Sequence, residues 1–181
     1  YQILYITNKI IEMKNQLLLL LIAVFFINCQ TTLIAQIMNE SLGTGAGSNI
    51  TSGDYNTMIG DSAGHYVSSG SFNTMTGMNA GYNNTSGQQN TYIGHEAGYT
   101  NSTGQDNTAI GEGAGYTSTD TDGVFIGTRA GYNNTFGSDV TFIGEEAGLY
   151  NTTGDDLVFI GEDAGYNNTT ASDNTFVGST A

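Results

Sequence analysis

From residue 43 onward the chain keeps returning to short runs in which polar and apolar positions alternate. Asn90-Thr91-Tyr92-Ile93-Gly94 is one of them. Alternation with a period of two predicts a β-strand, with Thr91 and Ile93 on one face and Tyr92 on the other. The last apolar position forms a column of Ile59, Ile93, Ile110, Ile126, Ile143 and Ile160, ending in Val177, with Thr76 as the exception. A column this uniform is expected to stack inward. The preceding column (Met58, Met75, Tyr92, Ala109, Phe125, Phe142, Phe159, Phe176) is then expected to face outward. Tyr92, Phe125, Phe142, Phe159 and Phe176 would form an exposed aromatic stripe, and such stripes on soluble proteins mark interfaces, here a self-association surface. Tyr82, Tyr99, Tyr116, Tyr132 and Tyr166 make a second aromatic column, interrupted by Leu149.

The interval between the runs is set by glycine. Gly43, Gly60, Gly77, Gly94, Gly111, Gly127, Gly144, Gly161 and Gly178 stand seventeen residues apart, except for one step of sixteen between Gly111 and Gly127. A second glycine follows four positions later (Gly64, Gly81, Gly98 and their equivalents), directly after an unbroken alanine column from Ala46 to Ala164. Most units carry a third glycine, such as Gly87 or Gly104, and Ala171 replaces it in the last. A repeat this short cannot bury its own apolar side, so each unit must stack on its neighbours. Alanine suits close approach across a thin interior, and glycine suits tight corners. The chain contains no proline, as expected where backbone N–H groups are needed for ladders. The expected fold is all-β: a parallel β-solenoid of about eight coils, roughly 40 Å long at the usual strand spacing.

Ahead of the repeats lies a different composition. Residues 16–27 read QLLLLLIAVFFI after Lys14. This run is short for a membrane span and matches the apolar region of a signal peptide. The expected organisation is an upstream non-native extension over 1–12, a signal-peptide helix over 13–35 starting at Met13, a cap or linker over 36–42, and the repeat domain over 43–181. Cleavage after Ala35 is one reading, and Cys29 as a lipoprotein cysteine is another. The chain stops within a repeat at Ser179-Thr180-Ala181 and reads as a fragment.

Charge narrows the function. The 181 residues carry a formal net charge of −14, with only Lys9, Lys14 and Arg129 basic. Nucleic-acid binding needs clustered Lys and Arg, so no nucleic-acid partner is expected. No catalytic constellation is visible, and the chain is expected not to be an enzyme. His65 and His95 occupy different repeat positions, and no serine has a histidine and an acid in a recognisable arrangement. The one candidate metal site is Asp106, Asp122, Asp139, Asp156 and Asp173, which recur five positions before the coil glycine. Stacking would bring these carboxylates to about 5 Å from one another. A bound calcium could relieve their repulsion, and a solvated acidic edge is the alternative. No other cofactor is expected.

The order Thr91-Tyr92-Ile93-Gly94, then Ala97, then Gly104 resembles the head repeats of the YadA-like trimeric autotransporter adhesins, as does Val124-Phe125-Ile126-Gly127 with Ala130. The resemblance covers about residues 43–181. It implies a left-handed β-roll, a homotrimer, and a secreted or surface location on a bacterial outer membrane, where the chain would serve as an adhesive fibre toward a host or matrix ligand. The repeat here is longer than that family's, and the stalk and membrane anchor that the resemblance implies would be expected in a missing downstream region. The alternative is an ice-binding or other ligand-binding solenoid, the ice reading being suggested by the column Thr57, Thr74, Thr91, Thr108, Thr141 and Thr175. With the Ile face inward, those threonines would point inward too, and Val124 and Val158 interrupt them.

Overall fold

A computed structural model describes residues 39–181 apart from Asp120, together with Met13, Lys14, Gln16, Leu17 and Leu20, which are helical. The extension over 1–12, the two cleavage alternatives, Cys29 and most of the expected signal peptide lie outside the described residues. Met38–Ala181 form one compact unit, the repeat unit.

That unit is a parallel β-solenoid. Its strands are β1 (Glu40–Leu42), β2 (Thr57–Ile59), β3 (Thr74–Thr76), β4 (Thr91–Ile93), β5 (Thr108–Ile110), β6 (Val124–Ile126), β7 (Val140–Ile143), β8 (Leu157–Ile160) and β9 (Thr175–Val177). All nine pair in sequence order in one parallel sheet. The register follows the repeat, with Thr91 opposite Thr108. The single short step is absorbed without a slip, because Thr108 still faces Val124. The first rung begins earlier than the expected boundary at 43. Glu40, Ser41 and Leu42 sit in register with Thr57, Met58 and Ile59, so residues read as a cap are already part of the sheet.

Each coil leaves its strand through overlapping turns. In the second coil Ala63 N–H donates to Gly60 O, and His65 N–H donates to Ser62 O. The third residue of each turn is left-handed: Ser62 at φ 56° and Gly64 at φ 57°. A positive φ there is the signature of a type II turn and explains the second glycine column. The coil glycine has a different reason. At Gly94, φ is 135° and an added Cβ would lie 2.4 Å from the carbonyl oxygen of Gly111 in the next coil. Backbone from adjacent coils passes too close there for any side chain.

The interior reverses the expected phase of the strands. Met58, Met75, Tyr92, Ala109, Phe125, Phe142 and Phe159 are buried, and Phe176 is partly buried against them. Ile59, Ile93 and Ile160 are 42%, 39% and 37% exposed. The expected outward stripe of Tyr92, Phe125, Phe142, Phe159 and Phe176 is therefore turned into the core of the same chain, and of these only Phe176 in the last rung keeps part of its surface exposed. The cause lies on the opposite wall, which is Ala and Gly. A Cβ added at Gly98 would lie 2.6 Å from the Tyr92 ring, and one at Gly148 the same distance from Phe142. A bare wall leaves depth that a ring fills and an isoleucine would not, and interiors close to native packing density leave no such void. Phe142 and Phe159 stack at 4.9 Å between centroids, as do Phe159 and Phe176.

Asparagines complete this interior. Asn73 Nδ2 donates to Asn56 Oδ1 at 2.9 Å and to Gly87 O at 2.9 Å. Asn90 and Asn107 continue the pattern, each donating its amide to the asparagine one coil below. Buried amides are stable only when bonded, and the coil stacking bonds them in series. The ladder ends in the short coil, where Gly123 N–H donates to Asn107 Oδ1 at 2.9 Å. In the next two coils the same position is apolar, as buried Val140 and Leu157, and the last coil returns to asparagine at Asn174.

Candidate functional site

The reversal turns the Thr and Ile columns outward. On every strand from β2 to β9 the first and third residues of the Thr-x-Ile triplet share the solvent face. The first column runs Thr57, Thr74, Thr91, Thr108, Val124, Thr141, Val158 and Thr175. The second runs Ile59, Thr76, Ile93, Ile110, Ile126, Ile143, Ile160 and Val177. Residues in the two columns range from half-buried to exposed. None is charged, although the chain carries −14 overall. All are β-branched, whereas the inward column between them contains only Met, Tyr, Ala and Phe. β-branching restricts χ1, so the side chains stand in few rotamers on a hydrogen-bonded sheet. The result is a fixed two-dimensional array, about 4.8 Å between rungs and about 6.6 Å between columns.

Two kinds of threonine can be separated by their hydroxyls. Loop threonines use theirs inside the solenoid. Thr51 donates to Ser68 O at 2.9 Å, Thr85 to Ser102 O at 2.9 Å, and Thr152 to Thr169 O at 2.8 Å. The hydroxyls of Thr57, Thr74, Thr91 and Thr108 make no hydrogen bond to other described residues and remain available to solvent. The strand threonines, expected to point inward, face solvent.

The tyrosine column forms a second, different surface. Tyr82, Tyr99, Tyr116 and Tyr132 stack face to face with centroids 5.1, 5.0 and 4.7 Å apart. Tyr66 and Tyr150 meet the column edge-on. Shielding from solvent, and after it a hydrogen bond with Tyr66, raises the Tyr82 hydroxyl above its usual pKa. Shielding followed by the charge of Glu96 does the same for Tyr116, and a hydrogen bond with Tyr150 is the main cause for Tyr166. The ring faces are consumed by one another, which leaves only edges and hydroxyls for a ligand.

Asp106, Asp122, Asp139, Asp156 and Asp173 are all exposed, in a row along one loop edge. Each is left-handed, with φ between 54° and 61°. Aspartate tolerates that conformation better than most residues, which favours it here, although Tyr55, Phe72 and Gln89 adopt the same conformation at the equivalent positions of earlier coils. Among the described residues, no group of three or more His, Cys, Asp or Glu side chains comes together as a metal site. His65 instead stacks on Tyr82 at 5.2 Å and lies 3.0 Å from the Ser48 hydroxyl, while His95 sits beside Glu96. Arg129 pairs with Glu146 of the next coil. No helix among the described residues is long and apolar enough to cross a membrane.

One sequence signal could have placed the face correctly. Val140 and Leu157 stand two residues before Phe142 and Phe159, where other coils have Asn90 or Asn107. Apolar residues two apart mark one inward face, and that face contains the phenylalanines. Comparison with family models, with curated proteins and with solved structures returns no match.

Proposed function

We propose that this chain is a non-catalytic structural and adhesive module, a rigid solenoid of a secreted or surface-displayed fibre whose working surface is the Thr–Ile face. One observation carries the reading: an uncovered, charge-free sheet face repeats on successive coils from β2 to β9. Repetition gives such a module many weak contacts in series, and contacts that engage together add avidity. The homotrimer suggested by the adhesin resemblance no longer has the aromatic stripe as its seam. If copies associate, the Thr–Ile face is the surface left for them.

The test is attachment. Beads carrying the full chain are presented to layers of extracellular-matrix protein, to a crystalline polysaccharide and to ice. Binding to at least one surface, lost in Thr91→Lys/Thr108→Lys and kept in the loop variant Gln105→Lys, is the expected result. Absence of attachment to every surface, or equal attachment by the face variant, overturns the reading. Sedimentation of the same variants separates trimer from monomer.

A further inference from the structure

We propose that the Thr–Ile face binds the surface of ice; this rests on the preceding reading and names the partner of that same face. The partner must match three properties. First, it must be periodic in two dimensions, because the face repeats along and across the strands with a spacing fixed by backbone hydrogen bonds. The spacings, about 4.8 Å between rungs and about 6.6 Å between columns, are fixed by the sheet, and a crystal surface is a partner with fixed spacings of its own. Second, it must be uncharged, because the face has no charged residue while the chain as a whole is acidic. A charged matrix surface finds no counter-charge on such a face. Third, it must be recognised without aromatic platforms, because every ring of the strands points into the core. That argues against the sugar rings of a crystalline polysaccharide.

Width argues against a second copy of the chain. The face is about three residues across and eight rungs long, a strip on the order of 400 Å². Stable protein interfaces bury about 800 Å² on each partner. A strip of half that size holds a partner chain weakly. The chemistry on the face suits water. Methyl groups of Thr91 and Ile93 order the water above them, and the unused Thr91 hydroxyl can donate to or accept from that water and anchor it. Restricted χ1 rotamers mean that little side-chain freedom is lost when the array meets the lattice.

The experiment is partition of the full chain into a slowly growing ice hemisphere, together with inhibition of ice recrystallisation. The wild-type chain should enter ice at least tenfold more than a reference protein of similar charge. Thr91→Lys/Thr108→Lys should abolish this enrichment. Thr91→Val/Thr108→Val guards against misfolding, because valine already occupies this column at Val124 and Val158. It should reduce partition several-fold with an unchanged circular dichroism spectrum. Exclusion of the wild type from ice, or a Val/Val variant equal to wild type, overturns the proposal. Face-dependent attachment to a matrix layer or polysaccharide, with exclusion from ice, overturns the ice assignment and leaves the adhesive reading standing.

Discussion

The assignment of the aromatic column to the interior can be tested with one pair of substitutions. Phe142 is fully buried, stacks at 4.9 Å on Phe159 and meets Phe125 edge-on at 5.8 Å. Opposite it Gly148 supplies no side chain that could move into a void, since its would-be Cβ already points at the Phe142 ring. Replacement by alanine therefore leaves a cavity that cannot collapse, and Phe142→Ala should cost about 3–5 kcal/mol, the upper range for core truncations. Its neighbour Ile143 faces the other way and is only half-buried. Ile143→Ala keeps most of its solvent contact and should cost about 1 kcal/mol or less. Urea unfolding followed by circular dichroism reads the difference. With a slope of about 2 kcal/mol per molar, the Phe142 variant should move the midpoint down by about 1.5–2.5 M and the Ile143 variant by about 0.5 M or less. The phase of the strands is wrong if Ile143→Ala is the more damaging of the two. Because coils contact only their neighbours, amide exchange should rise first in the rungs around β7, with the distant β2 least affected.

Other consequences can be checked in the same way. Asn73→Ala removes the acceptor used by the Asn90 backbone N–H and side-chain amide, and should cost about 1–3 kcal/mol for each buried group left unpaired, visible as faster exchange at Asn90. The raised hydroxyls of Tyr82, Tyr116 and Tyr166 bind protons more tightly in the folded chain than in the unfolded one. Stability from the tyrosine ladder is thus complete below the ordinary tyrosine pKa of about 10 and declines as pH rises through the folded values; alkaline melts paired with tyrosinate absorbance should show this. The melting temperature should be the same in calcium and in chelator, since the aspartates are exposed and do not come together as a metal site among the described residues; a clear rise with calcium would make those carboxylates ligands.

Much of the architecture is readable without coordinates, and for a physical reason. Backbone ladders of a solenoid require the same backbone conformation in each coil. A glycine needed where neighbouring coils crowd the backbone therefore recurs at the coil length, and Gly94 and Gly111 give strand register directly. The sixteen-residue step could be placed for the same reason, since Gly127 keeps the column despite a shorter loop. Unlike these positions, the candidate site depended on which of two apolar columns faces in, and period-two alternation is symmetric in that respect. Isoleucine and phenylalanine are both apolar enough for either side.

What the amino-acid order alone determined, then, is the coil length, the parallel pairing and the absence of charge from one pair of columns. The tertiary structure decided the sign of the face. It did so through volume: alanine and glycine on the far wall leave a deep, narrow interior, rings fill that depth, and asparagine ladders line its edge. With Phe142 and its equivalents committed to the inside, Thr and Ile are left on the surface as a rigid, uncharged array. A list of columns cannot convey that result, because the depth of the cavity belongs to no single column.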